Sequence, residues 1–288
     1  MAYSRVGIVT GANKGIGYAI IRQLALQYPQ SPLNAGSLLV YLTARDASRG
    51  EAAVKALHEE EQLRKAKALV TDGGPTEIKF RQLDIGDEKS VDAFAEFIKK
   101  EHHDKIDFVI NNAGVAFDGF NDKVVQDTLK INYYGTLHAT EAFLPLLKPT
   151  GRIVNVASMA GHLSKYSPAI KQRFLNAQSV EDATQLMQDF ASAVSRNHEK
   201  QEGWPSAAYA VSKAGVIAFT RAIAAREKKA GSEKLVNACC PGWVVTDMTK
   251  GKGHKTPDQG ALTPVMLAIQ DISGKTGEFW QDEKVIEW

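Results

Sequence analysis

Three glycines follow the first apolar run of this chain at a spacing that leaves the backbone few solutions. Val6-Gly7-Ile8-Val9-Thr10 reads as a short buried strand, and Gly11, Gly15 and Gly17 come directly after it in Thr10-Gly11-Ala12-Asn13-Lys14-Gly15-Ile16-Gly17. Residues 15 to about 27 then read as a helix. A strand that turns straight into a helix leaves free N–H groups at the helix N-terminus. Those groups and the positive end of the helix dipole attract an anion such as pyrophosphate. Glycine permits the tight turn and a close backbone approach to the ligand. A plain strand-to-helix turn would use similar residues, so the position after the first strand carries the nucleotide-binding reading.

The rest of the 288 residues alternates apolar, β-rich runs with helical patterns. Residues 37–43, 78–83, 108–110, 152–156 and 235–240 read as strands. Residues 48–69, 88–101, 124–147 and 207–229 read as helices, with a short one at 263–269. Near-continuous apolar strands separated by helices imply a parallel sheet covered on both faces. Right-handed crossovers then favour an α/β, doubly wound, Rossmann-type fold. Residues 28–36 and 70–76 read as a surface loop and a turn. The largest interruption, 160–205, is polar and helix-compatible. Sheet strands lie on both sides of it, so the chain reads as one domain, 1–288, with a helical insertion at 160–205. Phe174, Leu175, Leu186, Met187, Phe190 and Val194 supply apolar anchors for that insertion.

Charge and cysteine usage exclude several partners. Lys and Arg number 35 against 33 Asp and Glu, a formal charge of +2. That balance argues against a nucleic-acid or acidic-membrane partner. Cys239 and Cys240 are adjacent and the only cysteines, so no disulfide framework is available. They read as small buried hydrophobes, with the role of Cys240 open. No apolar run approaches the roughly 18 residues of a membrane span. The strand beginning at Val6 leaves no room for a signal peptide. The expectation is a cytoplasmic protein in a reducing compartment.

The strand tips carry the next candidates. The second strand ends Leu42-Thr43-Ala44-Arg45-Asp46. A fold preferring NAD usually offers a carboxylate near this point for the ribose hydroxyl. Here Arg45 comes first, and with Lys14 it would flank a 2′-phosphate, which predicts NADPH over NADH. One charged hydrogen bond of this kind contributes about 1.5–3 kcal/mol, roughly 10- to 150-fold in affinity. Asp46 is read as pointing away. Asp84, in Leu83-Asp84-Ile85, reads either as an acceptor for the adenine amino group or as a helix N-cap. Asn111-Asn112-Ala113-Gly114 would wall the adenine and ribose.

Tyr209-Ala210-Val211-Ser212-Lys213 holds the chemistry. A spacing of four puts Tyr209 and Lys213 on one helix face. A free phenol has a pKa of about 10, and an ammonium beside it would lower that value. Tyr209 could then act as general acid or base. Ser158 ends the fifth strand at the same sheet edge. Asn132 sits inside a helical stretch where it is a poor helix former, so it is read as holding a backbone carbonyl or a water. Trp243, after Pro241-Gly242, would form an apolar substrate lip together with Phe117 and Phe120. Thr246 would bond the nicotinamide amide. The seven histidines are scattered, and no metal is expected.

Together, T-G-A-N-K-G-I-G, N-N-A-G, K-I-N-Y-Y-G, I-V-N-V-A-S, Y-A-V-S-K and P-G-W-V-V-T-D-M resemble the short-chain dehydrogenase/reductases, in order and spacing, over nearly the whole chain. Within that superfamily the chain is most similar to the monomeric NADPH-dependent carbonyl reductases. The resemblance implies a catalytic set of Asn132, Ser158, Tyr209 and Lys213. It implies cofactor contacts at Gly11, Lys14, Gly15, Ile16, Gly17, Arg45, Asp84, Ile85, Asn112, Tyr209, Lys213, Val244, Val245 and Thr246. The substrate would meet Ser158, Tyr209 and Trp243. Lys213 would hold the ribose hydroxyls, and Asn132 would place a water linking Lys213 to solvent. The implied reaction is NADPH-dependent reduction of quinones, aldehydes and ketones. The alternatives are a dedicated reductase of one natural-product ketone and a non-catalytic nucleotide-binding scaffold. Ala157 replaces a common serine, and the loop 117–121 is shorter and more acidic than in animal carbonyl reductases. Residues 160–205 would cover a face that relatives use for tetramers, which predicts a monomer.

Overall fold

The computed structural model describes residues 3–103 and 105–288. Strands β1 (Arg5–Val9), β2 (Leu38–Ala44), β3 (Thr76–Gln82), β4 (Ile106–Asn111), β5 (Leu147–Val156), β6 (Leu235–Cys240), β7 (Phe279–Gln281) and β8 (Lys284–Ile286) form one sheet. Their order is β3-β2-β1-β4-β5-β6-β7-β8, parallel throughout except for β8 against β7. The chain runs outward from β1 to β3, then returns to lay β4 on the other side of β1. Val9 therefore pairs with Leu42 on one flank and Ile110 on the other. Ligands bind at such a reversal, beyond the carboxyl ends of the strands.

Both faces of the sheet's centre are buried, which is why β1, β2, β4 and β6 lack an exposed polar side, whereas the edge strand β3 alternates Glu77, Lys79 and Arg81 along one side. Along β2, Leu38, Val40 and Leu42 enter one core, and Leu39 and Tyr41 enter the other. Helices α1 (Gly15–Gln27) and α10 (Pro257–Ile269) pack together on the first face, with α2 (Ala47–Glu59) over β2 and β3. Helices α4 (Glu88–Glu101), α5 (Asp122–Leu129), α6 (Thr136–Phe143) and α9 (Ala208–Lys229) cover the second. Fully burying one Leu, Ile or Phe side chain contributes about 1.5–3 kcal/mol, so these layers outweigh local propensity.

The insertion joins the second core. It comprises α7 (Pro168–Asn176) and α8 (Val180–Ser195) with short 3₁₀ turns before them. Helix α8 packs on α5 and α9. Tyr166, Phe174 and Trp204 meet edge to face at centroid separations of 5.3, 6.0 and 6.3 Å. Phe174, Leu186, Met187, Phe190 and Val194 are buried as expected, whereas Leu175 is exposed. No helix among the described residues is long and apolar enough to cross a membrane.

Several boundaries differ from the sequence expectation. The helix expected over 48–69 breaks at Glu60, which is extended at φ −66° and ψ 122°. Its carboxylate accepts from the Tyr18 hydroxyl at 2.8 Å and from Arg22 at 2.6 Å, a tertiary grip that overrides propensity. A short helix, α3 (Glu61–Lys65), follows. The stretch 124–147 is likewise divided, by one π-helical turn at Lys130–Gly135. Helix α10 starts at Pro257, six residues before the expected 263. A reciprocal cap between Thr256 and Gln259, with Pro at the first helical position, fixes that start. Strands β7 and β8 were not expected. Each has three residues, too few to show a pattern, and β7 is set by pairing with β6 on one flank (Ala238 with Phe279) and with β8 on the other.

Candidate active site

The groove at the β1–β4 reversal has the features a dinucleotide needs. Helix α1 begins after Lys14 with no side-chain cap and no acidic residue in its first turn, so its leading N–H groups face outward uncompensated. Gly11 and Gly15 have φ of +62° and +57°, a left-handed backbone that favours glycine. The residues present therefore fit a phosphate-bearing cofactor. The far wall is the segment after β6. A β-carbon on Gly15 would lie 3.6 Å from Thr246 Cγ2, and Lys14 Nζ donates to Asp247 at 2.7 Å.

The strand-tip candidates divide. Arg45 is exposed at the β2 tip, and its carbonyl accepts from Gln82 Nε2 at 2.8 Å. The Asp46 carboxylate turns back to cap α2, accepting from the Arg49 N–H at 2.9 Å. Asp84 spends one carboxylate oxygen on the Gly86 N–H at 2.9 Å, a turn contact, and Ile85 is buried in the core. Asn112 Nδ2 donates to the carbonyls of Thr10 and Gly11 at 3.0 and 3.1 Å, so this amide shapes the glycine loop. Ile16 and Gly17 lie in the first turn of α1. Val244 is buried, while the Val245 N–H donates to the Lys255 carbonyl at 2.9 Å and leaves its side chain exposed. The Thr246 N–H donates to Thr249 Oγ1 at 3.0 Å.

Helix α9 carries Tyr209 and Lys213 one turn apart, at the end of β5. Lys213 is buried, and its Nζ donates to the Val156 carbonyl at 2.7 Å. Burial pulls its pKa down to about 8, opposed by the Cys239 and Cys240 sulfurs. The half-buried Tyr209 faces the Ser158 hydroxyl, whose hydrogen bond draws its pKa down. Burial is the larger influence and pushes it up to about 12. The expected lowering by Lys213 is therefore absent. Its nitrogen sits 5.7 Å from the phenol ring centroid and is itself drawn toward neutrality. At neutral pH the phenol is consequently protonated, the form that donates.

Asn132 lies in the π-helical turn and is fully buried. Its Oδ1 accepts from the Val115 N–H at 2.8 Å, and its Nδ2 donates to the Val115 carbonyl at 2.8 Å and to Ser212 Oγ at 3.1 Å. The side chain thus clamps the segment leaving β4 against α9, and it holds a backbone carbonyl, that of Val115. Ser212 Oγ in turn donates to the Tyr209 carbonyl at 2.8 Å.

Three supporting features had no sequence signal. The Cys240 sulfur accepts from the N–H groups of Met159 at 3.2 Å and Gly242 at 3.3 Å, tying Ser158's neighbour to β6. Gly161 closes the 3₁₀ turn that begins at Ser158 and lies flush on α9. Trp288 donates to the Gly161 carbonyl at 3.0 Å. At the mouth, Trp243 is 55% exposed with its ring 5.8 Å from His254. Phe117, Met159, Val245 and Met248 are also exposed, and Lys250 pairs with Asp118 at 2.9 Å. Phe120 turns instead to Phe190 of the insertion, centroids 6.4 Å apart, and is not part of the lip.

Fold and site together define a dinucleotide-dependent oxidoreductase architecture. The short chain dehydrogenase family matches residues 5–169, and a second family, Enoyl-(Acyl carrier protein) reductase, matches residues 175–265. The chain belongs to the short-chain dehydrogenase family. It is 41% identical to carbonyl reductase (NADPH) 1 of Sus scrofa, over 99% of this chain and 94% of that protein. It is 39% identical to the same enzyme of Mus musculus over the full length of both. Among solved structures, salutaridine reductase from Papaver somniferum superposes with TM-score 0.79 at 29% identity, covering 96% of this chain and 99% of that one. Menthone neomenthol reductase from Mentha piperita gives 0.75 at 27%, covering 96% and 98%.

Proposed function

We propose that this protein is an NADPH-dependent carbonyl reductase with Tyr209 as proton donor. The observation that carries this reading is the meeting of the Tyr209 phenol with the Ser158 hydroxyl beside the buried Lys213. Full-length similarity to the NADPH carbonyl reductases supports the cofactor and the reaction class.

The hydride for the substrate's carbonyl carbon would come from NADPH when it is bound. Ser158 donates a hydrogen bond to the carbonyl oxygen as negative charge grows there, which stabilises charge where it develops. Tyr209, protonated at neutral pH, passes its proton to that oxygen. As an ammonium, Lys213 has two N–H bonds left after serving Val156, and these would hold the ribose hydroxyls. Asn132 keeps the β4 exit and α9 in register, so its part is positional. Lys14 and Arg45 receive the 2′-phosphate, and Trp243 supplies the substrate lip. The experiment is Tyr209→Phe. NADPH oxidation with a reactive quinone or aldehyde should vanish while NADPH still binds. Retained turnover would refute the assignment.

A dedicated natural-product ketone reductase is the second reading. The likeness to salutaridine reductase and menthone neomenthol reductase, both with the same span of chain, favours it. A panel of quinones, aldehydes and ketones separates the two: one ketone preferred by orders of magnitude supports the dedicated enzyme. The packing of α8 over α5 and α9 supports a monomer. The two free, buried cysteines are compatible with cytoplasmic residence.

A further inference from the structure

We propose that Trp288 is a positioning residue for Ser158, acting through the backbone of Gly161. This rests on the reading of Ser158 as the hydrogen-bond donor to the substrate oxygen.

In the turn that carries Ser158, one residue, Gly161, is held through the peptide groups on both of its sides. The Gly161 N–H donates back to the Ser158 carbonyl at 2.9 Å, and the Gly161 carbonyl accepts the Trp288 indole N–H at 3.0 Å. The third side of Gly161 is the α9 backbone. A β-carbon there would stand 2.6 Å from the Ala214 nitrogen and 2.7 Å from the Lys213 carbonyl carbon. Gly161 is therefore wedged between the helix that bears Tyr209 and Lys213 and the indole that follows β8. Within the turn, Ser158 Oγ accepts from the Ala160 N–H at 3.1 Å. That contact leaves the hydroxyl proton free to point elsewhere, and it fixes the oxygen's location to that of the turn.

The indole is itself held on two sides. Its ring meets Phe174 of the insertion edge to face at 5.7 Å, and the Arg221 guanidinium of α9 lies 5.4 Å from its centroid. Ring packing and N–H donation are thus separable. The packing ties the last hairpin to the insertion, and the single N–H reaches the catalytic turn. An active-site group displaced by a fraction of an ångström loses rate without losing the fold.

Trp288→Phe in the full-length enzyme keeps a ring for Phe174 and Arg221 and removes the N–H. Turnover of a reactive quinone should fall about 2- to 12-fold, the equivalent of one neutral hydrogen bond. NADPH affinity should stay at the wild-type value, and the thermal midpoint should fall by no more than a few degrees, the size expected for one hydrogen bond. Combined with Ser158→Ala, Trp288→Phe should add no further loss, because the two act in series. Unchanged kcat in Trp288→Phe, or a fully additive loss in the double variant, overturns the proposal. So does a loss of NADPH affinity and melting temperature in proportion to kcat, which marks a purely structural role. Ser158→Ala alone tests the underlying reading: if it retains full turnover, that reading fails first.

Discussion

Gly161 and Ala214 are packed so closely that no side chain fits between them: a β-carbon on the first would sit 2.6 Å from the nitrogen of the second. This contact sets the distance between the Ser158 turn and α9. Gly161→Ala must therefore push the turn or the helix aside. We expect a stability loss of about 1–3 kcal/mol by chemical denaturation, typical of an overpacked site. Turnover should fall by more than about tenfold, because Ser158 and Tyr209 are separated by the same movement. A variant with wild-type stability and turnover would show that the two elements are loosely coupled.

The ribose contact proposed for Lys213 predicts that cofactor binding is sensitive to pH. Burial lowers its pKa to about 8, so its ammonium form is present below that value and lost above it. Only the ammonium keeps two N–H donors, and its positive charge, for the ribose hydroxyls while holding Val156. NADPH affinity should therefore be steady through neutral pH and weaken as pH rises past 8, approaching about tenfold per unit. Fluorescence titration at a series of pH values measures this. A flat profile through pH 9.5 would contradict the role given to Lys213.

Arg45 is exposed at the tip of β2, with its backbone fixed by Gln82. Asp46, the acidic residue beside it, is occupied in capping α2. This leaves a cation and no free carboxylate for the ribose end of the cofactor. Arg45→Asp should reduce the NADPH over NADH preference in kcat/KM by at least about tenfold, the lower end for a charged hydrogen bond. An unchanged ratio would remove Arg45 from the cofactor site.

Local features were legible where the determinant is local. The glycine turn, the buried strands and the i, i+4 pair Tyr209 and Lys213 all follow from short-range spacing. Leu38–Ala44 shows its burial in every residue. The missing pieces depend on contacts between segments far apart in the chain. Glu60 breaks a helix because Tyr18 and Arg22 hold it, and β7 exists because β6 offers an edge. The same holds in the site. Asn132 was recognisable as an odd helix residue, but its partner Val115 was not, and the electrostatics of Tyr209 follow burial more than the nearby lysine.

The insertion bears on assembly. Helix α8 lies across α5 and α9, and Phe174, Phe190 and Trp204 fill the space beneath with edge-to-face and tilted contacts. With that face covered, the enzyme should run as a monomer, with a light-scattering mass near 31.4 kDa. A mass about four times larger would show that the insertion leaves a tetramer interface open.

Asp247 holds Lys14 at 2.7 Å in a pair whose partners are 62% and 80% exposed. Exposed pairs contribute little and are screened by salt. Lys14 is therefore released easily when a phosphate competes for it, yet the carboxylate remains a nearby negative charge. Asp247→Asn removes both the competition and the repulsion. NADPH should bind more tightly, by less than about tenfold. NADH, which has no 2′-phosphate, should bind as before, and the difference should shrink at high ionic strength. Equal tightening for both nucleotides would instead place the effect on the pyrophosphate or on the packing of Thr246 against Gly15.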